Sequence, residues 1–112
     1  MRLIKRFIYP ALAIISLLTS PTLASDAAIG TTYGILAHDT GRIFFYQTGS
    51  RTARPTCATE DRWVFDIKTS TGQATLAVLL TAHANNRNVT IQGTGQCSEW
   101  PDTETVRSVQ VW

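Results

Sequence analysis

After residue 24 the chain has no long apolar run, no internal repeat and no low-complexity segment. No membrane anchor is therefore expected in that part of the protein. Its only two cysteines, Cys57 and Cys97, form no CxxC pair. That spacing opposes a redox motif or a zinc site. His38 and His83 show no ligand spacing either. Calcium-loop and Gly-x-Ser-x-Gly nucleophile patterns are both missing. The composition thus predicts no metal, no cofactor and no enzyme.

What is present first is an address. Arg2, Lys5 and Arg6 make a positive head, residues 7–18 an apolar stretch, and residues 21–24 (PTLA) a small-residue ending. This is the pattern of a signal peptide, expected over residues 1–24 and cleaved. Pro10 and Pro21 interrupt the ends of a stretch already short for a bilayer. No cysteine follows the cleavage position, so a lipid anchor is not indicated. A periplasmic or secreted location follows.

Removing residues 1–24 from the 112 leaves 88, room for one domain. The leader carries three of the ten basic residues, so the remainder has seven against eight acidic ones, a formal charge of −1. Such a balance gives no electrostatic footprint for nucleic acid. In an oxidising compartment, two cysteines can join within the chain in one way, Cys57 to Cys97.

Along the chain, residues 25–32 are small and polar and read as a flexible N-terminal segment. Residues 33–112 read as the folded domain. Residues 33–39 (YGILAHD) and 42–48 (RIFFYQT) are strand-forming runs, with the Asp39-Thr40-Gly41 turn between them. Residues 49–56 read as a loop containing Pro55. In residues 62–68, Trp63, Phe65 and Ile67 alternate with Arg62, Asp66 and Lys68, the mark of a half-buried strand. Ser70 with Gln73 has capping-box spacing, and Leu76, Leu79, Leu80 and His83 fall on one helical face. Asn85 and Asn86 suit a left-handed stop. Residues 88–92 and 105–111 return to strand.

The predicted order is β-β-β-α-β-β, mainly β with one helix. A five-stranded Greek-key barrel of the OB type uses this order. In that barrel the third and fifth strands run parallel, so Cys57 and Cys97, each just before one of them, begin at the same end. The alternative architecture is a three-stranded sheet with a flanking helix and a separate hairpin.

Three stretches carry a resemblance: residues 55–58 (PTCA), 62–84 (RWVFDIKTSTGQATLAVLLTAHA) and 88–97 (NVTIQGTGQC). A cysteine before a Trp-containing strand, a small-residue helix, and a strand leading to a loop cysteine resemble the B subunit of subtilase cytotoxin and related toxin B subunits. The resemblance implies an OB fold and a ring-shaped homo-oligomer that binds glycans.

The candidate ligand-binding residues are Asp39, Thr40 and Trp100, on the 39–41 and 98–102 loops, with the 49–56 loop beside them. Trp100, next to Glu99 and Asp102, suits stacking on a sugar ring; its plain alternative is to fold back over the disulfide or close one end of the barrel. His38-Asp39 has the types of an acid–base pair but reads more simply as a turn Asp beside a His. His83 reads as a helix-end residue, and Glu60, Asp61 and Asp66 as strand-flanking charges. Asn88-Val89-Thr90 fits the glycosylation acceptor pattern by strand composition. The expected function is an exported non-enzymatic binding domain whose loops take a small ligand, a glycan or a neighbouring subunit, glycan binding and ring formation being what the resemblance implies. The alternative is a periplasmic structural or inhibitory protein that binds another envelope protein. One prediction follows directly: protein recovered from its native compartment releases two thiols only on reduction, read by intact mass before and after. Reduction should cost about 4 kcal/mol of stability, the chain entropy of a loop of about 40 residues.

Overall fold

Residues 43–45 and 63–65 are buried without a break, so the strands they form need cover on both faces. The computed structural model describes residues 24–112; the expected leader, apart from Ala24, lies outside the described residues. The elements are β1 (Asp26–Gly30), β2 (Thr32–Ala37), β3 (Arg42–Gln47), β4 (Arg51–Thr52), β5 (Trp63–Asp66), α1 (Ser70–Ala84), β6 (Val89–Gly93) and β7 (Glu104–Val111). The described part of the chain is mainly β with one helix.

The strands form one seven-stranded sheet in the order β2-β3-β5-β7-β6-β1-β4. The β2–β3 hairpin turns at residues 38–41, closed by His38 N–H to Arg42 O (2.8 Å) and Gly41 N–H to His38 O (3.0 Å). β5 pairs antiparallel with β3 and parallel with β7, Trp63 opposite Glu104 and Val64 opposite Thr105. The expected pairing of the third and fifth predicted strands is therefore present. β1 and β2 are consecutive in the chain, with Thr31 alone between them, yet stand near opposite ends of the strand order.

One face of this sheet holds the core: Ala27, Ile43, Phe45, Trp63, Phe65, Val89, Ile91 and Val106, with Leu79 and Ala82 of the helix. The helix is capped by Thr69, one residue before the expected Ser70. The Thr69 hydroxyl accepts from Gly72 N–H at 2.9 Å. Gly72 lies against the Asp66 carbonyl, where any Cβ would collide with that oxygen. This close approach sets the helix rotation. Gly72, Leu79 and Ala82 point inward and Leu76 packs at the margin, whereas Leu80 is 46% exposed and His83 faces outward. The expected inward face of Leu76, Leu79, Leu80 and His83 is thus turned by part of a helical step. An Ala- and Leu-rich helix has no strong apolar stripe to fix its rotation, and the glycine contact decides it.

The segment 25–32, expected to be flexible, instead holds strand β1 and the first residue of β2, with Ser25, Ala27 and Thr32 buried. β1 pairs with β6 on one side and β4 on the other. Its small residues are required by close packing: a Cβ on Gly30 would strike the Gly49 amide. Small side chains here mean proximity of backbones, not freedom.

Gly72→Ala tests the helix contact. On an unencumbered helix, Gly to Ala stabilises by about 0.5–1 kcal/mol. Here it should destabilise by about 1–3 kcal/mol through overpacking, against a loss of about 3–5 kcal/mol for Phe65→Ala. Both are read from denaturant midpoints. A stabilised Gly72→Ala protein would refute the helix seating.

Candidate functional site

The second face of β3 and β5 is covered by loops rather than by the helix. Phe44, Val64 and Ala58 are buried there, outside the central core cluster. Arg62 spreads its guanidinium over the Phe44 ring, 4.3 Å from the centroid. Its Nε donates to Thr103 Oγ1 at 3.0 Å and its Nη2 to Asp102 Oδ1 at 3.4 Å. Arg62 is therefore a half-buried cover for the sheet, not the freely exposed residue that strand alternation predicts. Asp102 is held below the usual carboxylate range, first by the Thr103 hydroxyl and then by Arg62, with desolvation opposing. Its share of stability is present above the ordinary Asp range and is lost as pH falls through the lowered value.

Trp100 completes this face. Its ring meets Phe44 edge-on at 5.0 Å and His38 at 5.1 Å between centroids. Trp100 is half-buried, so its indole both seals the face and remains open at the rim. The Cys57–Cys97 bond is present, with a Cα–Cα separation of 6.1 Å. It ties the loop after β4 to the loop before β7, and Glu60 N–H to Asp102 O (3.1 Å) ties them again. The disulfide thus holds the loop that carries Trp100.

The three candidate ligand residues come together through His38. Its Nδ1 accepts from Thr40 N–H at 3.2 Å and lies 2.9 Å from Thr40 Oγ1. Asp39 Oδ1 is 2.9 Å from the same nitrogen, and the Asp39 side chain is 92% exposed. Arg42 donates to Thr40 O at 3.1 Å and pairs with Glu99 at 3.3 Å, joining the 39–41 turn to the 98–102 loop. The rim is an aromatic platform with carboxylates and hydroxyls around it. It can stack on an apolar ring face and exchange hydrogen bonds with hydroxyls at the ring's edge.

The start of the 49–56 loop does not join this rim as expected. Gly49 and Ser50 follow β3 at the end opposite the 39–41 turn and lie beside β1, with Ala28 N–H donating to Ser50 O at 2.8 Å. His83 also lies apart, with Nδ1 3.1 Å from Thr32 O. Trp112 is 53% exposed and donates from Nε1 to Thr90 Oγ1 at 3.2 Å. Among the described residues, no group of three or more His, Cys, Asp or Glu side chains gathers as metal ligands.

A further cluster escaped the sequence reading. Glu104 is wholly buried, and its Oε1 accepts from Arg51 Nη2 at 2.8 Å and from the Ser25 hydroxyl. Its Oε2 accepts from Gly95 N–H at 3.0 Å and Ser25 N–H at 3.2 Å. The guanidinium of Arg51 lies 3.8 Å over the Trp63 ring, and its Nη1 donates to Asp61 O at 3.1 Å. Burial pulls Arg51 below its ordinary value, opposed by its hydrogen bond and charge contact with Glu104. Gly93 leaves the room this carboxylate occupies, since a Cβ there would strike Oε2. The Gly93-Thr94-Gly95 run is the local sequence mark of this arrangement, supplying both space and a backbone donor for the carboxylate.

Comparison of the chain with protein-family models, curated proteins and solved structures finds no match. Arg51→Met should cost about 3–5 kcal/mol, because it removes the guanidinium paired with buried Glu104. Arg62→Ala should cost about 1–2 kcal/mol through the lost ring cover and hydrogen bonds. Urea titrations check the order; equal losses would show that Glu104 does not depend on Arg51.

Proposed function

We propose that this chain is an exported, non-enzymatic binding domain that takes a carbohydrate on the rim around Trp100. One observation carries the reading: Trp100, His38, Thr40, Asp39 and Glu99 converge from two separate loops that a disulfide and an Arg42–Glu99 ion pair hold together. An aromatic face bordered by hydroxyls and carboxylates matches the chemistry of a saccharide, whose ring has an apolar face and polar edges. Export is supported by the charged head, short apolar stretch and small-residue ending of residues 1–24, and by the disulfide. An OB-like barrel is the finer reading of the fold. It is supported by the parallel β5–β7 pair, the helix between β5 and β6, and consecutive strands β1 and β2 near opposite ends of the order.

Assembly into a homo-oligomer belongs to the same proposal. Ala74, Ala77, Thr81 and Ala84 make an exposed, small-sided helix flank against which a second copy can lie closely. A second reading, an envelope protein that acts by binding another protein, rests on a different surface. Tyr33 and Tyr46 stack at 5.3 Å on the β2–β3 hairpin, and Leu36 and Leu80 are about half exposed.

A glycan array probed with the native protein and with Trp100→Ala tests the main reading, together with light scattering at micromolar concentration. The native protein should bind a defined set of glycans, and Trp100→Ala should lose at least tenfold in affinity without changing mass. Ala77→Arg should lower the mass of the oligomer and leave the fold intact. A monomer with an empty array would overturn the proposal in favour of the protein-binding reading.

A further inference from the structure

The buried cluster around Glu104 takes no part in the Trp100 rim, and one of its members stands at a special place in the sequence. Ser25 is wholly buried, with its backbone nitrogen 3.2 Å from Glu104 Oε2 and its hydroxyl bonded to Oε1. That hydroxyl also accepts from Arg51 Nε at 3.1 Å, and the Ser25 carbonyl accepts from Gly93 N–H at 2.8 Å. Ala24 before it is only partly buried, on the wall of an open depression shared with Asp26, Gln92, Gly93 and Arg107. Ser25 directly follows the Thr22-Leu23-Ala24 ending of the leader pattern.

We infer that the Ala24–Ser25 bond is a proteolytic processing site, and that the α-ammonium group released on Ser25 becomes a second cation on buried Glu104, beside Arg51. The inference rests on the export reading and is independent of any ligand. The reaction is hydrolysis: the Ala24 C–N bond breaks, the Ala24 carbon takes the water oxygen to end as a carboxylate, and the Ser25 nitrogen leaves as an amine. That amine takes up a proton at neutral pH, since an ordinary α-amino group titrates at about 7.7–8.0.

Geometry selects this bond over its neighbour. Ser25-Asp26-Ala27 also offers small residues two apart, but cleavage after Ala27 would discard Ser25. Glu104 would then lose two of its four donors, and Arg51 Nε and Gly93 N–H would each lose their acceptor. Cleavage after Ala24 keeps every one of these bonds and strengthens one of them from neutral amide to ammonium.

The local charge can take a second cation. Arg51 is not given wholly to Glu104: its Nη1 stands 3.8 Å from Asp61, which also pairs with Arg54. Asp26 of β1 and Arg107 of β7 flank the depression by Ala24. Facing the new ammonium are therefore Glu104 and Arg51, with Asp61 and Arg54 behind Arg51 and Asp26 and Arg107 at the opening. Ala24 lines the depression and leaves on cleavage, so the new ammonium faces the space that residue vacates.

An order of events follows. Ser25 is buried in the folded chain, so a peptidase reaches the bond before this segment docks. Leader removal then adds a charge that only the folded state pairs. A folded-state value raised by Glu104 gives stability that is full below the ordinary α-amino range and is lost as pH rises through the raised value.

The test uses the full chain, exported with its own leader, and a version with Asp-Gly inserted between Ala24 and Ser25. Intact mass and N-terminal sequencing should place the first residue of the native protein at Ser25. Its α-amino group, followed by NMR on serine-labelled protein, should titrate about one pH unit or more above 7.7–8.0. The insertion moves the amine off Glu104, so the folding constant at pH 7 should fall about tenfold, and the difference should shrink above about pH 10. Glu104→Gln should return the Ser25 midpoint to the ordinary range where that variant folds. A chain retained with its leader intact would overturn both the export reading and this inference. A chain that starts at Ser25, titrates in the ordinary range and is no more stable than the insertion variant would overturn this inference alone.

Discussion

A carboxylate with no exposed surface is the constraint on which the rest of this fold depends. An unpaired ionised carboxylate costs several kcal/mol when taken out of water. Glu104 escapes that cost through four donors from three parts of the chain: Ser25, Arg51 and Gly95. Each donor fixes a backbone segment that has little apolar surface of its own. Ser25 brings in β1, Arg51 brings in the two-residue strand β4, and Gly95 shapes the turn after β6. These peripheral strands are held by polar chemistry directed inward, whereas β3, β5 and the helix are held by apolar burial. In a domain of this size the core alone is thin, and such a knot supplies uniqueness as well as cohesion.

The two faces of β5 show how far the sequence was legible. Trp63, Phe65 and Ile67 announce an inward face by alternation, and Trp63 and Phe65 lie in the core with Ile67 packed against it. Alternation implies that the other face is solvent. Val64 contradicts this, being fully buried, and so does the Arg62 stack on Phe44. Period-two patterning reports apolar side chains and is blind to an arginine used as a lid, because its stem covers while its charge reaches a rim. The same limit hid Glu104 and Arg51, separated by 53 residues and charged. Nothing local in sequence distinguishes a buried ion pair from two surface charges.

Small residues were the other source of misreading. Residues 25–32 look unconstrained because Ser, Ala, Gly and Thr carry few local signals. In the fold, that smallness lets β1 lie close to the turn after β3, and Gly72 lets the helix meet the Asp66 carbonyl. Elements with strong local chemistry were placed well: the Asp39-Thr40-Gly41 turn, the helix with its Asn85 stop, and the cysteine pair. Of the candidate site, sequence supplied Asp39, Thr40 and Trp100 separately. Their meeting through His38 and Arg42 depends on a long-range strand register, which no single stretch encodes.

The loop from Gly95 to Glu104 joins the two chemistries. Its ends are fastened by Thr94 N–H to Thr105 O (2.9 Å) and Thr105 N–H to Gln96 O (2.9 Å). Within it, the Thr105 hydroxyl takes up Ser98 Oγ at 2.9 Å and Glu99 N–H at 3.2 Å, and Trp100 bridges to Thr103. With the disulfide at Cys97 and the Glu60–Asp102 bond, the loop is restrained at nearly every second residue. Glu104 at its end faces inward to Arg51, while Trp100 four residues earlier faces outward against His38 and Phe44. A surface restrained in this way loses little conformational freedom when something docks on it, so a weak contact such as ring stacking on Trp100 is not consumed by ordering the loop. The inward anchor is therefore what gives the outward platform its value. Loosening Glu104 would blur the position of Trp100 even though the two side chains lie on opposite sides of the chain.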